Sequence, residues 1–159
     1  VSETVCRPYD KARDGLSLGE GCGALLLTTD SRKAKGTPVL LAGGAMTQDA
    51  NHLSAPSRTG EELAAAMREA MREAGLTPRE IGFVNAHGTA TLYNDEMESR
   101  ALHRAGLGDK PLNSLIPYLG HTDRGDDPHG RTAPPGPRFR HPGVRRMRNA
   151  AAGERRAAP

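Results

Sequence analysis

The sequence predicts an α/β layered fold, because short apolar runs typical of strands alternate with amphipathic helical patterns. Glycine-bounded runs rich in leucine, valine and alanine predict buried strands over residues 23–29 and 39–45. Residues 82–85 and 112–116 predict two further strands. The predicted order is β, β, α, short α, β, α, β, and it ends at residue 122.

The helices are predicted from their capping signals. Thr59 and Glu62 have the spacing of a capping box, and Gly75 is a natural residue just beyond the end of the first helix. The methionines of this helix are expected to be core residues, since they lie in its apolar stripe. The members of that stripe are Leu63, Ala66, Met67, Ala70, Met71 and Ala74.

Two shorter signals follow the first helix. The run TPRE at residues 77–80 predicts a capped single turn with proline at its first position. Asn94 or Asp95 is expected to cap a third helix, which runs to about Ala105 and is closed by Gly106. Each of these two helices leads into one of the last two predicted strands.

Two histidines, His87 and His121, follow these last two strands, each beside glycine and threonine. A strand end holds a side chain rigidly while letting its ring project into a cleft. Flanking glycine admits a substrate close to the backbone, and the hydroxyls of Thr89 and Thr91 can hydrogen-bond substrate amides. Any single His-Gly-Thr is also an ordinary polar loop.

No cofactor or metal is expected. The histidines and two cysteines lack metal-ligand spacing. The residue types at 19–24 match a dinucleotide-binding fingerprint, but an apolar run follows instead of the helix that such a site requires.

Five motifs in register give the chain a resemblance to the β-ketoacyl-acyl-carrier-protein synthases of the thiolase superfamily. They are CRPYDKARDG at 6–15, LGEGCG at 18–23, DANH with AP at 49–56, HGTATLYND at 87–95 and GHT at 120–122. The resemblance implies a partial thiolase-like layered fold, of which residues 1–122 supply part of the second half. Faces that pack on the first half would then be exposed.

The resemblance also implies roles for individual residues. His87 and His121 match the two histidines that assist decarboxylation of malonyl-carrier protein and hydrogen-bond its thioester carbonyl. Thr89 and Thr91 match the threonines that bind the pantetheine arm. The implied partner is acyl carrier protein. Neutral imidazole N–H groups suit this chemistry, because they stabilise the developing enolate without a metal.

The chain departs from the family pattern in two places. The nucleophilic cysteine of the family lies in the half that precedes this sequence, so Cys6 and Cys22 are interpreted as structural fillers. Ile116 stands where the family commonly has lysine, five residues before the second histidine. These departures predict that the chain is inactive alone.

Residues 123–159 differ in composition from the rest. They contain nine arginines, no lysine and four acidic residues, a net charge of +5, with six prolines and few large apolar residues. This composition predicts a disordered tail. The abrupt change after Thr122 indicates a frameshift near that codon.

Two other functions stay open from the sequence. The chain could be a non-catalytic synthase-like partner of the chain-length-factor type, which Ile116 favours, or less plausibly a nucleic-acid-binding protein with a basic tail. No membrane span or signal peptide is recognised. The few cysteines suit the cytoplasm, and the full-length form is expected to be a homodimer or heterodimer.

Overall fold

The computed structural model describes residues 1–2, 4–21, 23–33, 36–51 and 55–122. Helices and short strands alternate in its second part. In chain order the elements are α1 (Glu61–Ala74), β1 (Val84–Ala86), α2 (Leu92–Arg104), β2 (Leu112–Ser114) and α3 (Ile116–Leu119), with 3-10 turns at Ser31–Lys33 and Pro78–Glu80.

The strands β1 and β2 pair in parallel, with Val84 opposite Leu112 and Ala86 opposite Ser114. Parallel strands need a crossover connection, and α2 provides it. An isolated parallel bridge between Leu18 and His121 brings an early segment alongside the chain that follows α3. The carboxyl ends of both strands therefore point toward the same region as His121.

The apolar core lies between the two long helices and the sheet. Its buried centre is Leu102, Ala105 and Leu107. Partly buried side chains from α1, β1 and the intervening turn complete it, namely Met67, Met71, Ile81 and Val84. The two methionines are core residues, as their helical spacing predicts. Full burial of a large apolar side chain contributes about 1.5–3 kcal/mol, and these two are partly buried, so each contributes less.

The helix ends agree with the sequence at three caps and differ at two. Gly75 ends α1 in the left-handed conformation, the turn at Thr77 has its capping box, and α2 ends at Arg104. The N-cap of α1 is Gly60 rather than Thr59, whose Oγ1 instead accepts a hydrogen bond from the N–H of Glu61 at 3.3 Å.

The cap prediction for α2 was also wrong. Its N-cap is Thr91, several residues before Asn94 and Asp95. The carboxylate of Asp95 accepts N–H groups from outside the helix, at Tyr9 and Ala90. A carboxylate engaged in tertiary contacts is not available to cap its own helix.

The predicted strands over residues 23–29 and 39–45 are wrong. Neither segment is a strand, and Leu25 and Leu40 expose 93% and 85% of their surface. A strand is stable only when a neighbour satisfies its backbone N–H and C=O groups. Among the described residues no strand pairs with either segment, so the apolar pattern alone does not produce a strand.

The last two strands are shorter than predicted. The strand β1 is shifted toward His87, and β2 stops at Ser114 because α3 begins at Ile116. The side-chain oxygen of Ser114 accepts the N–H of Ile116 at 3.3 Å, which turns the chain. The tail predicted to be disordered, residues 123–159, lies outside the described residues.

Candidate functional site: a pair of histidines at the sheet edge

The rings of His87 and His121 meet at the end of the sheet. Their Nε2 atoms are 3.3 Å apart, the ring centroids are 5.0 Å apart, and the planes are inclined by 59°. A hydrogen bond between the two Nε2 atoms needs one as the donor and the other as the acceptor, and the tautomer of each ring decides which is which. The two residues that the sequence singled out, 34 positions apart, are thus brought into contact.

The backbone of His121 is held by the early segment of the chain. Its N–H donates to the Ser17 carbonyl at 2.7 Å, and its own carbonyl accepts the N–H of Gly19 at 3.0 Å. Gly120 adopts a φ of 76°, and a Cβ there would lie 2.6 Å from the Gly19 nitrogen. Glycine is required because the two backbones nearly touch.

The backbone around His87 is held by a buried carboxylate. Glu98 of α2 is 4% exposed; its Oε1 accepts the N–H of His87 at 2.8 Å, and its Oε2 accepts that of Gly88 at 3.0 Å. Ser114 Oγ donates to the His87 carbonyl at 3.0 Å. Both peptide groups flanking His87 are therefore fixed by side chains from other elements.

A second buried carboxylate lies one turn earlier on the same face of α2. Asp95 is 1% exposed and accepts the N–H groups of Ala90 at 3.1 Å and Tyr9 at 2.8 Å. The guanidinium of Arg13 lies 3.7 Å from its Oδ2. We call Asp95 and Glu98 the carboxylate clamp, because together they fix the loop that carries His87.

The carboxylate clamp was not predicted from the sequence, in which Asp95 was interpreted as a helix cap and as part of the HGTATLYND motif. The signal was the spacing of three between the acids, which places both on one helix face. That face continues into Ala101 and Leu102, which are buried. An acid pair in line with an apolar stripe indicates buried, hydrogen-bonded carboxylates rather than a solvated surface.

Tyr9 touches both members of the carboxylate clamp. Its N–H donates to Asp95, and its phenol donates to Glu98 Oε2 at 2.5 Å. Burial raises the pKa of Tyr9 far above its ordinary value, and the hydrogen bond and negative charge of Glu98 raise this pKa further. The phenol is therefore a donor throughout the neutral range.

The two threonines predicted to bind substrate lie together in the loop after His87. Their Oγ1 atoms are 2.8 Å apart, and Thr89 is 6% exposed while Thr91 is half-buried. The Thr89 hydroxyl is engaged within the loop, and Thr91 is the more accessible of the two. Of the two hydroxyl groups, that of Thr91 is therefore the better placed to meet a ligand.

Cys6 and Ile116, two residues weighed against the family pattern, occupy ordinary structural environments. Cys6 is a free thiol, 1% exposed, which is the setting of a small apolar filler. Ile116 is half-buried at the start of α3. Cys22 lies outside the described residues.

A second polar cluster surrounds a pocket of about 190 Å³ beside α1. Asn51 Nδ2 donates hydrogen bonds to the carboxylates of Asp49 and Glu62, at 2.9 and 2.7 Å. Asp49 also accepts a hydrogen bond from the N–H of Ser57 at 2.7 Å. Hydrogen bonds from Asn51 and Ser57 lower the pKa of Asp49. This cluster fixes the loop that carries the DAN run, whereas His52 is not among the described residues.

Two classes of site are not found in the part of the chain that the structure describes. It contains no group of three or more histidine, cysteine or acidic residues that could hold a metal ion. None of its helices combines the length and apolar character needed to cross a bilayer.

Comparison with known proteins assigns the family of most of these residues. Residues 39–126 match the family model described as Beta-ketoacyl synthase, C-terminal domain. The 3-oxoacyl-[acyl-carrier-protein] synthase 2 of Vibrio cholerae is 42% identical over 126 residues, covering 75% of this chain and 30% of that protein. The enzyme of the same name from Mycobacterium tuberculosis is 44% identical over 123 residues, covering 74% and 29%.

Solved structures agree. The ishigamide ketosynthase/chain length factor superposes with a TM-score of 0.67 at 37% identity, covering 77% of this chain and 31% of that one. The ketosynthase ApeO with its chain length factor ApeC from Xenorhabdus doucetiae gives 0.61 at 31% identity, covering 77% and 29%. The predicted partial thiolase-like α/β fold is confirmed, and the chain spans about 30% of the length of the curated relatives it matches.

Proposed function

The chain belongs to the β-ketoacyl synthase family, and from this premise we propose that it supplies the paired histidines of a 3-oxoacyl-acyl-carrier-protein synthase. The reaction is a decarboxylative condensation of malonyl-carrier protein with an acyl thioester, in fatty acid or polyketide synthesis. One observation carries the proposal: the Nε2 atoms of His87 and His121 face each other at 3.3 Å.

The geometry supports donation to a single oxygen. A carbonyl oxygen lying about 2.9 Å from each Nε2 can accept a hydrogen bond from both when each ring carries its proton on Nε2, and these two bonds then replace the contact between the rings. When the malonyl carboxylate leaves as carbon dioxide, the electron pair of the broken bond moves toward this carbonyl and builds negative charge on its oxygen. Two fixed N–H donors stabilise that charge without reorganising, which lowers the barrier.

The remaining steps need groups beyond the histidine pair. The carbanion attacks the acyl thioester carried by a cysteine nucleophile, and the thiolate leaves. We assign that nucleophile to a part of the synthase outside residues 1–159, because neither Cys6 nor Cys22 matches the nucleophile position of the family and Cys6 is buried at 1% exposure. Alone, the chain is expected to form no acyl-enzyme. Intact-mass analysis after incubation with an acyl-carrier substrate tests this, because it would detect an acyl adduct.

The proposed partner is acyl carrier protein, whose pantetheine arm carries the malonyl group. Thr89 and Thr91 lie two and four residues beyond His87 in the sequence, and Thr91 is the more accessible of the two. We assign them to the amides of the arm. The complete enzyme is proposed to be a cytoplasmic homodimer or heterodimer.

A second candidate is the non-catalytic partner of a ketosynthase, of the chain-length-factor type. The observation that favours it is Ile116, which stands where the family commonly has lysine. Two superposable structures are named as ketosynthases with chain length factors. In this alternative the histidine pair is structural, and its removal leaves decarboxylation by the active subunit unchanged.

A chimera tests the two candidates. Residues 1–122 replace the matching segment of the Vibrio cholerae relative, and carbon dioxide release from malonyl-carrier protein is measured. His87→Ala or His121→Ala should each lower kcat by roughly 100–1000-fold, equivalent to about 2.7–4 kcal/mol of barrier. Thr89→Ala and Thr91→Ala should raise KM for the carrier substrate and leave kcat nearly unchanged.

His103→Ala is the matched control, because this histidine is exposed in the last turn of α2. It should retain the activity of the parent chimera. Full decarboxylation by the His87→Ala, His121→Ala double variant would contradict the proposal and leave the histidines a structural role.

We also propose that residues 123–159 are read from a shifted frame. The support is the change in composition after Thr122. The match to the family model ends at residue 126, only four residues later. Sequencing the locus tests this. If neither other frame downstream encodes a Gly-Ala-rich helix, the proposal is wrong.

A further inference from the structure

Tyr9 lies in the early loop at residues 6–15, far in sequence from the histidine pair, yet it contacts the groups that hold His87. Its backbone N–H and its phenol donate to Asp95 and Glu98, the two members of the carboxylate clamp. The other oxygens of the clamp accept the N–H groups of His87 and Ala90. The early loop and the histidine loop are thus bound to the same two carboxylates.

The backbone of Tyr9 is itself strained. It has a φ of 63°, in the left-handed region that residues other than glycine rarely adopt. Such a conformation persists only where surrounding contacts enforce it. The neighbouring Pro8 packs within 3.0 Å of the position that a Cβ on Gly88 would take, so the loop is pressed directly against the residue after His87.

The two histidines depend on different supports. His121 is held by Ser17 and Gly19, whereas His87 is held by Glu98. The distance between their rings therefore depends on where Glu98 is placed. Its Oε2 has two donors, the Gly88 N–H and the Tyr9 phenol, and loss of the phenol would free one side of the carboxylate to rotate toward water.

We infer that Tyr9 is a positioning residue for His87: its phenol holds Glu98 in the orientation that sets the spacing of the histidine pair. Tyr9 itself does not touch the reacting atoms. The inference deepens the proposed function, on which its catalytic consequence rests, but the geometric claim can be tested without activity.

The test uses the full chain labelled with ¹⁵N-histidine. The nuclear magnetic resonance signature is the coupling between the two Nε2 atoms across their hydrogen bond, assigned through the His87→Ala and His121→Ala spectra. Tyr9→Phe should abolish this coupling while far-ultraviolet circular dichroism stays unchanged. Tyr93→Phe is the matched control, because Tyr93 is 74% exposed on α2, and it should keep the coupling.

Glu98→Gln provides a second variant of nearly unchanged size. An amide has only one acceptor oxygen for the three donors that meet Glu98, so the coupling should again be lost. Glu96→Gln, an exposed acid on the same helix, is its control. Retention of the coupling in Tyr9→Phe would overturn the inference. Unfolding of Tyr9→Phe alone would also overturn it, by showing that the phenol serves the fold as a whole.

The chimera then separates this inference from the proposed function. Tyr9→Phe should lower kcat for carbon dioxide release by roughly 10–100-fold at unchanged KM, the range expected for a misplaced catalytic group. An inactive parent chimera would refute the proposed function. The coupling between the two Nε2 atoms would then still test whether Tyr9 positions His87. An active chimera insensitive to Tyr9→Phe would overturn the inference alone.

Discussion

Gly88→Ala is the substitution for which the structure gives the clearest expected cost. Gly88 has a φ of 57°, and an added methyl group would lie 2.7 Å from Ser114 Oγ and 3.0 Å from Pro8 Cβ. The left-handed conformation costs a residue with a side chain about 1–2 kcal/mol. Overpacking adds roughly 1–3 kcal/mol. We expect a loss of about 2–5 kcal/mol in the free energy of unfolding, a large part of the ~5–15 kcal/mol of a typical domain.

The assay is urea unfolding of the full chain, followed by circular dichroism. Gly82→Ala is the control, because a Cβ at Gly82 would have no neighbour within 4 Å and its φ is outside the left-handed region. It should change the unfolding free energy by less than about 0.5 kcal/mol. Equal losses for Gly88→Ala and Gly82→Ala would refute the reasoning about the contact with Ser114 and Pro8.

Two further predictions concern the titration of Tyr9 and the role of Ile116. Burial and Glu98 raise the pKa of Tyr9 above its ordinary value of 10.0, so its stabilising contribution is fully present below pH 10 and is lost as the pH rises further. The difference in unfolding free energy between the wild type and Tyr9→Phe should therefore narrow above that pH; a constant difference would contradict this. Ile116→Lys should raise carbon dioxide release by the chimera, because a cation would restore the charge that the family commonly has there. No change would favour the non-catalytic partner.

The sequence was sufficient where structure depends on neighbours along the chain. Gly75 ends its helix as predicted, and the turn at Thr77 is capped by Glu80, because both signals act within a few residues. The apolar runs around Leu26 and Leu40 failed for the opposite reason. Such runs indicate burial against a partner, but Leu26 and Leu40 are 91% and 85% exposed.

The same distinction between local and distant determinants applies to the candidate site. Histidine, glycine and threonine at two strand ends were enough to single out His87 and His121, but the contact between their rings depends on backbones that are distant in sequence. Ser17 and Gly19 hold the backbone of His121, and Glu98 holds the backbone of His87. No local pattern predicts that Tyr9 would meet Glu98, 89 positions later. The two histidines proposed as the reactive groups can therefore be recognised from residue type, whereas their spacing depends on buried carboxylates whose partners become visible only in the folded chain.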